Sequence, residues 1–284
     1  MGQAISMDIK AFAKINLGLW VLGQREDGFH EIITVLHLIN LSDEIKIEPF
    51  PTLFVECDAC PGGPENLAWQ AAEATGRTNF AIRIKKGIPV AGGLGGGSAD
   101  TGAVIRALMG DSTNDELIKI ASRIGSDVPF FASGWTGALA RGRGEIIAPI
   151  QSKLRANLVL FVPDGGVETK WAYGLLRQEG IYEEREESER ASAAVEKAVG
   201  EGDLEELSRN LFNSFERVIF RARPRLRTAK EALLAAGAKA ALLSGSGGVV
   251  YGIFPEKGNL PEMPDIGGRW ITTTLGCEHE LSDA

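Results

Sequence analysis

Apolar and β-branched residues dominate the first fifty positions in the manner of β-strands. Two such segments, 7–23 and 31–50, flank the polar turn sequence QREDGFH. Strands joined by a short polar connection usually pair with each other. The pattern therefore predicts a mostly antiparallel sheet over residues 7–55.

Helical spacing alternates with short apolar segments in the next hundred residues. Pro64 and Gly76 bound the first of these helices, each at the end that favours it. The predicted elements are helices over 64–76, 98–109 and 114–125, a strand over 80–90, and loops and strands over 126–150. A first domain is expected over residues 1–152.

The second half of the chain also mixes strands with helices. The predicted elements are a strand over 157–163, helices over 168–180, 191–200, 203–221 and 224–236, and strands over 240–244, 248–254 and 269–274. This order is typical of an α+β layer. The acidic run 183–190 is either a solvated helix face or a mobile insertion. A second domain is expected over residues 153–284.

The stretch PVAGGLGGGSAD, residues 89–100, joins a predicted strand to a predicted helix. It places five glycines between positions 92 and 97, interrupted only by Leu94. Such a cluster is unfavourable on folding unless bare main chain is required. Amide groups without neighbouring Cβ atoms can face one point, and the N-terminus of the following helix adds unpaired donors and a positive dipole end. The stretch therefore predicts an anion-binding loop, with a phosphate as the obvious ligand.

Three better-known motifs do not account for this loop. A P-loop requires a Gly-Lys pair followed by Ser or Thr, which does not occur in the chain. The dinucleotide fingerprint GxGxxG fails at its third glycine, which is Ser98 when the motif starts at Gly93. A GxSxG nucleophile elbow is absent because Asp100 occupies its last position. A hinge or tight sheet-to-helix turn is the structural alternative.

Composition and charge narrow the classes of ligand. The 284 residues are 44% hydrophobic, and 38 acidic against 30 basic side chains give a net charge of -8. This charge argues against nucleic acid as a partner, so an anionic ligand must be held locally. No apolar run approaches the roughly 18 residues of a membrane span, and the N-terminus has no apolar signal region. We expect no membrane partner and a cytoplasmic location.

Three cysteines do not make a secreted disulfide framework in a chain of this length. By residue type alone, Cys57, Cys60, Cys277 and His279 are candidate ligands of a zinc site. The loop character of the first pair and the tight spacing of the second pair argue against it. We expect scattered free thiols and no metal ligands.

Several linked segments carry a resemblance to a known family. Residues 89–100 resemble the PxxxGLGGGSS signature of the GHMP kinases, which are ATP-dependent small-molecule kinases, and SGSGGVVYG (244–252) resembles their third motif. Residues 13–45 are similar to the opening pattern of the 4-diphosphocytidyl-2-C-methyl-D-erythritol kinase family within that class. The segments GSDVPFF, GRGE and NSFE also resemble that family, in order and at suitable spacing.

The resemblance implies an α+β fold of two domains with the active site between them. The N-terminal domain would be a ribosomal-S5-domain-2-like β/α domain, and the C-terminal domain a ferredoxin-like α+β domain. The implied reaction transfers the γ-phosphate of ATP, with Mg²⁺, to the 2-hydroxyl of 4-diphosphocytidyl-2-C-methyl-D-erythritol, an isoprenoid precursor. The implied partners are small molecules, and we expect a monomer or a homodimer.

Lys14 and Asp127 are the candidate catalytic residues. Lys14 lies mid-strand among apolar neighbours, where an inward ammonium is unfavourable unless an anion meets it. Asp127 comes just before Pro129, where a rigid turn can present a carboxylate. As alternatives, Lys14 could be an edge-strand charge facing solvent and Asp127 a helix or turn cap. The resemblance implies that Asp127 takes the proton of the attacking hydroxyl, while Lys14 orients this carboxylate and offsets developing charge.

For ATP, the resemblance implies the glycine-rich stretch and two residues near the adenine. The candidates are Asn66, Lys86, Pro89, Gly92, Gly93, Leu94, Gly95, Gly96, Gly97 and Ser98. The Ser98 hydroxyl is also able to reach Mg²⁺ or a phosphate oxygen. Asn66 by its own pattern is a helix N-terminal residue, so its assignment depends on the resemblance.

For the second substrate, the resemblance implies Asn16, Phe29, His30 and Tyr173. His30 belongs to DGFHE, which is similar to the family's DGYHE, and an imidazole can read the edge of a base. Phe29 can pack on the nucleotide but lacks the hydroxyl of the usual tyrosine. Tyr173 aligns with an aromatic that stacks on the base, and its alternative is a helix residue packed in the core.

Two departures from the family pattern keep rival functions open. Phe29 replaces a tyrosine, and residues 168–170 read ETK in place of the more usual STA. One rival is a GHMP kinase for another alcohol, such as mevalonate or homoserine. The other is a non-catalytic nucleotide sensor, against which the presence of both Lys14 and Asp127 argues.

Overall fold

Two long antiparallel strands form the centre of the computed structural model, which describes residues 6–90 and 92–275. They are β1 (Met7–Gln24) and β2 (His30–Pro49). Their pairing shifts register at three points, one of them between Phe12 and Lys14. Such bulges redirect side chains along a strand. From Ala13 to Val21 every side chain of β1 is buried, because both faces of the strand are covered.

Four further strands and four helices complete the N-terminal half. They are β3 (Phe54–Cys57), α1 (Leu67–Ala74), β4 (Phe80–Lys85), α2 (Gly96–Met109), α3 (Asn114–Ala121), α4 (Val128–Ser133), β5 (Gly137–Gly142) and β6 (Ile146–Ile150). β2 pairs antiparallel with β4 and with β5, and β3 pairs parallel with β4. A single turn of 3₁₀ helix precedes α1. The helices pack on the sheet through a shared apolar core.

The C-terminal half contains an antiparallel sheet in the order β11-β7-β10-β9. Its elements are β7 (Ala156–Val162), α5 (Thr169–Glu179), α6 (Arg185–Glu201), α7 (Leu204–Asn210), β8 (Phe212–Asn213), α8 (Glu216–Ala222), α9 (Pro224–Ala235), β9 (Ala240–Ser244), β10 (Val249–Pro255) and β11 (Arg269–Leu275). The short strand β8 pairs with β1, and β11 meets β2 at Leu275 and Ile39. The two halves are therefore in direct contact. The predicted boundary at residue 152 lies between β6 and β7 and stays a prediction.

The predicted α+β class agrees with this architecture, but two element predictions are wrong. The segment 126–150 contains the helix α4 in addition to strands, and all six of its residues are buried. A helix buried on every side has no amphipathic pattern to reveal it. The predicted helix over 203–221 is two helices separated by β8. At this break the Asn213 side chain donates hydrogen bonds to the Leu243 and Gly245 carbonyls, which are about 30 residues away in the chain. Residues 185–190 of the acidic run form the start of α6, which begins at Arg185, so of the two alternatives the helix is correct and the mobile insertion is wrong.

The expectation of free thiols is wrong for one pair of cysteines. Cys57 and Cys60 form a disulfide, with their Cα atoms 5.3 Å apart. The chain turns back directly after β3, which brings the two residues within the span of a disulfide. Cys277 and His279 lie outside the described residues. Within residues 6–90 and 92–275 no group of three His, Cys, Asp or Glu side chains could hold a metal, and no helix is long and apolar enough to cross a membrane.

His37 gives the folded protein a specific sensitivity to acid. Its ring is fully buried, Nδ1 donates to the Leu38 carbonyl at 2.7 Å, and Nε2 accepts from the Ser152 hydroxyl at 2.7 Å. Burial lowers the pKa of His37 from 6.5 to about 4. As the pH falls through this window, the unfolded chain binds a proton that the folded chain does not, so the free energy of unfolding decreases.

We therefore predict that the free energy of unfolding of the wild type falls between pH 7 and pH 5 by about 2 kcal/mol more than that of His37→Gln. Urea unfolding of both proteins at both pH values measures the difference. The comparison with the variant is needed because Asp100, whose pKa is raised to about 7, contributes with the opposite sign. Equal losses in the two proteins would remove His37 as the cause.

Candidate active site

A cavity of about 1000 Å³ lies between the two halves of the fold. All the residues predicted for catalysis, ATP and the second substrate line it. Residues of the second half also contribute to its wall, among them Thr169, Tyr173 and Ser246. This size and this position between domains are typical of ligand sites. The structure thus brings the candidates together, while their individual contacts with ligands stay predictions.

Lys14 and Asp127 meet in this cavity. The Lys14 ammonium is buried, donates to Asn16 Oδ1 at 2.6 Å and to the Gly93 carbonyl at 3.0 Å, and lies 3.7 Å from Asp127 Oδ2. The alternative of an edge-strand lysine facing solvent is therefore wrong. Asp127 precedes α4, but its side chain makes no capping hydrogen bond there and is 37% exposed. Its carboxylate is accordingly accessible to a ligand in the cavity.

Electrostatics favour a tight pairing of these two groups. Burial lowers the pKa of Lys14, and the negative charge of the nearby Asp127 acts in the opposite direction. A buried ammonium is stabilised only by charges and dipoles held close to it. The Asp127 carboxylate, the Asn16 amide oxygen and the Gly93 carbonyl together provide this environment for Lys14.

Asn16 is held by residues that the sequence analysis did not single out. Its Nδ2 donates to Thr34 Oγ1 at 2.8 Å, and its carbonyl accepts from the Tyr251 hydroxyl at 2.8 Å. Thr34 in turn donates to the Gly18 carbonyl. Asn16 thus orients Lys14 directly. No local signal marks Thr34, and the motif that contains Tyr251 does not indicate its contact with Asn16, which joins distant parts of the chain.

The glycine loop, defined here as residues 92–98, packs against a second glycine-rich turn, residues 244–247. Ser244 Oγ donates to the Gly93 carbonyl at 3.0 Å. Asn213, from the NSFE segment, donates to the Leu243 and Gly245 carbonyls and fixes the second turn. Gly95 precedes α2 with φ of 74°, so the chain reverses sharply into the helix. The helix N-terminus therefore faces the cavity as the glycine pattern predicts.

Gly93 is the tightest position of the glycine loop. Its φ is +73°, and a Cβ built there would lie 2.3 Å from the Ser244 carbonyl oxygen, which is backbone. We predict that Gly93→Ala displaces the loop and weakens ATP binding by at least about tenfold, since both the strain and the clash must be relieved. Calorimetric titration with a non-hydrolysable ATP analogue measures this affinity.

Gly97 provides the matched comparison for this variant. Its φ is not in the left-handed region, and a Cβ there meets only Leu67 at 3.9 Å. Gly97→Ala should therefore retain more affinity than Gly93→Ala. A reversed order of the two variants would show that the packing against Ser244 does not shape the loop.

Asn66 and Lys86, the two residues predicted to lie near the adenine, both line the cavity. Asn66 caps α1, since Oδ1 accepts from the Ala68 amide at 2.9 Å, and its Nδ2 donates to the Pro61 carbonyl at 2.8 Å. The helix N-terminal interpretation of Asn66 is thus correct, and the residue also lines the cavity. The Lys86 ammonium is engaged by two buried carboxylates, a feature that the sequence analysis did not anticipate.

The rings of Phe29, His30 and Tyr173 line one part of the cavity, called here its aromatic end. The His30 ring stacks on Tyr173 with centroids 4.5 Å apart, and Tyr173 meets Phe215 edge-on at 4.8 Å. The Arg143 guanidinium lies 4.6 Å from the centre of the half-exposed Phe29 ring. Arg143 also lines the cavity but was not predicted as a site residue, although it belongs to the GRGE segment that carries part of the resemblance.

The His30 imidazole has a hydrogen-bonding nitrogen that a polar ligand can pair with. Its Nε2 is buried and has no hydrogen-bond partner among the described residues. Burial, followed by the nearby positive charge of Arg177, lowers the pKa of His30. The ring is therefore neutral at pH 7, with one donor and one acceptor nitrogen. A buried polar atom without a partner is unfavourable in the free protein and is satisfied when a ligand pairs with it.

The comparison with protein families defines the class of this protein. The model of the GHMP kinases N terminal domain matches residues 66–135, and the model of GHMP kinases C terminal matches residues 191–265. A crystal structure of homoserine kinase from Cytophaga hutchinsonii superposes with a TM-score of 0.65 over 97% of this chain and 96% of its own, at 16% identity, which shows the fold alone. The chain has the fold of a GHMP kinase and belongs to this class of ATP-dependent phosphotransferases.

Relatives of higher identity narrow the class. The 4-diphosphocytidyl-2-C-methyl-D-erythritol kinase of Caldanaerobacter subterraneus is 40% identical over 263 residues, which are 89% of each chain. A crystal structure of 4-(cytidine 5'-diphospho)-2C-methyl-D-erythritol kinase superposes with a TM-score of 0.74 at 33% identity, covering 95% of this chain and 99% of its own. The chain belongs to the family of 4-diphosphocytidyl-2-C-methyl-D-erythritol kinases. The predicted family and two-domain fold are thereby confirmed.

Proposed function

We propose that this protein transfers the γ-phosphate of ATP to the 2-hydroxyl of 4-diphosphocytidyl-2-C-methyl-D-erythritol. One observation carries the chemical part of this proposal: Asp127 Oδ2 lies 3.7 Å from the buried Lys14 ammonium, in the cavity that the glycine loop also lines. Phosphoryl transfer depends mainly on positioning the acceptor hydroxyl and offsetting phosphate charge. Both requirements have candidate groups here.

Asp127 accepts the proton of the attacking hydroxyl and directs its oxygen at the γ-phosphate. Lys14 orients the carboxylate and offsets the negative charge on the transferred group. Amide groups of the glycine loop hold the β- and γ-phosphates, assisted by the N-terminus of α2. The walls from both halves of the fold limit water around the transferred phosphate, which disfavours hydrolysis of ATP.

The oxygen donors in the cavity fit Mg²⁺ bound with ATP. Ser98 and Asp127 both line the cavity, and Mg²⁺ in kinases needs few protein ligands because phosphates and water supply the others. The Ser98 hydroxyl would hold the ion beside the β- and γ-phosphates, where it would offset their charge during transfer.

The aromatic end of the cavity supports cytidine as the anchor of the second substrate. Its unpartnered His30 Nε2 suits a polar edge of the base, and Phe29 and Tyr173 present ring surfaces beside it. The Arg143 guanidinium above Phe29 holds this ring without the hydroxyl that a tyrosine would bring. A small alcohol without a nucleotide would leave these groups unused.

Turnover with different acceptors tests the proposal. Each of 4-diphosphocytidyl-2-C-methyl-D-erythritol, mevalonate and homoserine is incubated with MgATP, and phosphorylated product is followed by ³¹P NMR. We expect transfer to the cytidyl compound and none above background to the other two. Faster turnover of mevalonate or homoserine would identify a GHMP kinase for another alcohol, and no transfer to any alcohol would favour the nucleotide sensor.

A further inference from the structure

A buried cluster of three charged side chains lies beside the glycine loop. Lys86, which follows β4, donates from Nζ to Asp43 Oδ2 on β2 and, at 2.7 Å, to Asp100 Oδ2 on α2. Each of the three side chains is less than a tenth exposed. The ammonium also lies close to the start of α2, since a Cβ on Gly96 would be 3.3 Å from it. These three residues are called the Asp43–Lys86–Asp100 cluster.

This cluster holds the chain on both sides of the glycine loop. At the entry, Asp43 Oδ1 accepts hydrogen bonds from the amides of Gly87 and Ile88 at 2.7 and 2.8 Å. At the exit, Asp100 lies one turn into α2, which begins at Gly96. Lys86 bridges the two carboxylates, so it links the entry to the exit. The amide groups that line the cavity lie between these two fixed ends.

The charges of the cluster are not fully balanced. Two carboxylates share one ammonium, and Asp100 Oδ1 is buried with no hydrogen-bond partner among the described residues. Burial raises the pKa of Asp100 to about 7, with Asp43 adding to the effect and Lys86 opposing it. Burial alone would lower the pKa of Lys86, but Asp100 and Asp43 outweigh this and raise it. Buried ion pairs contribute little net stability compared with apolar packing, so fixing the loop geometry accounts better for this cluster.

We propose that Lys86 and Asp100 are positioning residues, which hold the two ends of the glycine loop at the spacing needed to bind the triphosphate of ATP. The inference rests on the proposed function only in taking ATP as the ligand of this loop. In this proposal Lys86 does not contact the nucleotide directly. Its ammonium is held by carboxylates and acts on ATP through the amides of the loop.

Binding of a non-hydrolysable ATP analogue, measured by calorimetry, tests the proposal in the full-length protein. The variants are Lys86→Met and the conservative Asp100→Asn. We expect the Kd of the analogue to rise about tenfold or more in each, because Lys86→Met removes the bridging hydrogen bonds and Asp100→Asn removes the charge that strengthens one of them. The KM for ATP should rise in parallel, while the KM for the cytidyl substrate and kcat change by less than about threefold.

The neighbouring pair Lys85 and Glu44 provides a matched control. It joins the same two strands at 3.0 Å, but both side chains are largely exposed. Lys85→Met should therefore leave the affinity for the analogue unchanged. The double variant Lys86→Met with Asp100→Leu replaces two of the three ions by apolar groups and leaves one buried carboxylate where Lys86→Met leaves two, so it should regain thermal stability relative to Lys86→Met. Its affinity for the analogue should stay low, which a purely structural role would not produce.

The outcomes separate this inference from the proposed function. Wild-type affinity for the analogue in folded Lys86→Met and Asp100→Asn would overturn the inference, whichever alcohol the enzyme phosphorylates. Loss of affinity in both variants, together with turnover of an alcohol other than the cytidyl compound, would support the inference and overturn the proposed function. Recovery of both stability and affinity in the double variant would also overturn it, because packing alone would then suffice.

Discussion

Asp127→Asn should lose most of its turnover while still binding ATP. The asparagine keeps the size of the side chain but cannot take the proton of the acceptor hydroxyl. General bases contribute about 10²- to 10⁴-fold to rate, so we expect kcat to fall within that range. The Kd of the ATP analogue should change by less than about threefold, because the phosphates are held by the glycine loop. Single-turnover kinetics at saturating MgATP measures the loss.

A second aspartate separates this effect from a general change in charge. Asp111 is exposed in the turn after α2, away from the cavity. Asp111→Asn should keep wild-type kcat and KM. Asp127→Asn with kcat within tenfold of the wild type would contradict the role of Asp127 as base. Loss of analogue binding in the same variant would instead show that Asp127 shapes the nucleotide site.

The parts of the site that sequence reasoning could predict are those with a local physical signature. The glycine stretch 89–100 is one example. The unfavourable backbone entropy of its five glycines can be inferred from the sequence without knowing any tertiary contact. Lys14 is another, since a lysine inside an apolar strand indicates a buried partner charge. In the structure the ammonium is indeed buried beside a carboxylate. These signals depend only on a few neighbouring positions.

The parts that could not be predicted depend on contacts between distant residues. Tyr251 meets Asn16 across 235 positions, and Ser244 meets Gly93 across 151. Both Ser244 and Tyr251 belong to the segment 244–252, which resembles a family motif, but nothing in that segment indicates which residues they contact. Asp43 appears in sequence as an ordinary acid within the second predicted strand, and its buried contacts with the glycine-loop entry exist only after β2 and β4 pair. Tertiary structure therefore decides these roles.

The same reasoning explains the wrong element predictions. The helix α4 is missed because all its side chains are buried, so it lacks the polar face that marks a helix at a surface. The break between α7 and α8 is missed because Asn213 lies in the short strand β8, where its side chain donates two hydrogen bonds to carbonyls at the second glycine-rich turn. The sequence around Asn213 does not indicate these distant partners. Propensity is a weak guide where tertiary contacts compete with it. Both deviations occur in segments that support the candidate site.

Lys14→Met should reduce kcat by about 10²- to 10³-fold, the loss typical when one group that stabilises the transition state is removed. Methionine fits the narrow channel for the side chain, where a Cβ on Gly95 would already lie 3.2 Å from Lys14 Cγ. Lys14→Arg should not restore turnover, because a planar guanidinium directs its donors differently from the ammonium that meets Asn16, Gly93 and Asp127. Steady-state kinetics of the two variants measures both effects.

The pairing of Lys14 with Asp127 leads to two further expectations for the same experiment. Because burial lowers the pKa of Lys14, the alkaline loss of kcat/KM in the wild type should occur below the pKa of 10.5 of an ordinary lysine. The double variant Lys14→Met with Asp127→Asn should be little slower than the slower single variant, since residues that act as one unit are not additive. Fully multiplicative losses would show that the two groups act independently and that Lys14 does not work through the carboxylate.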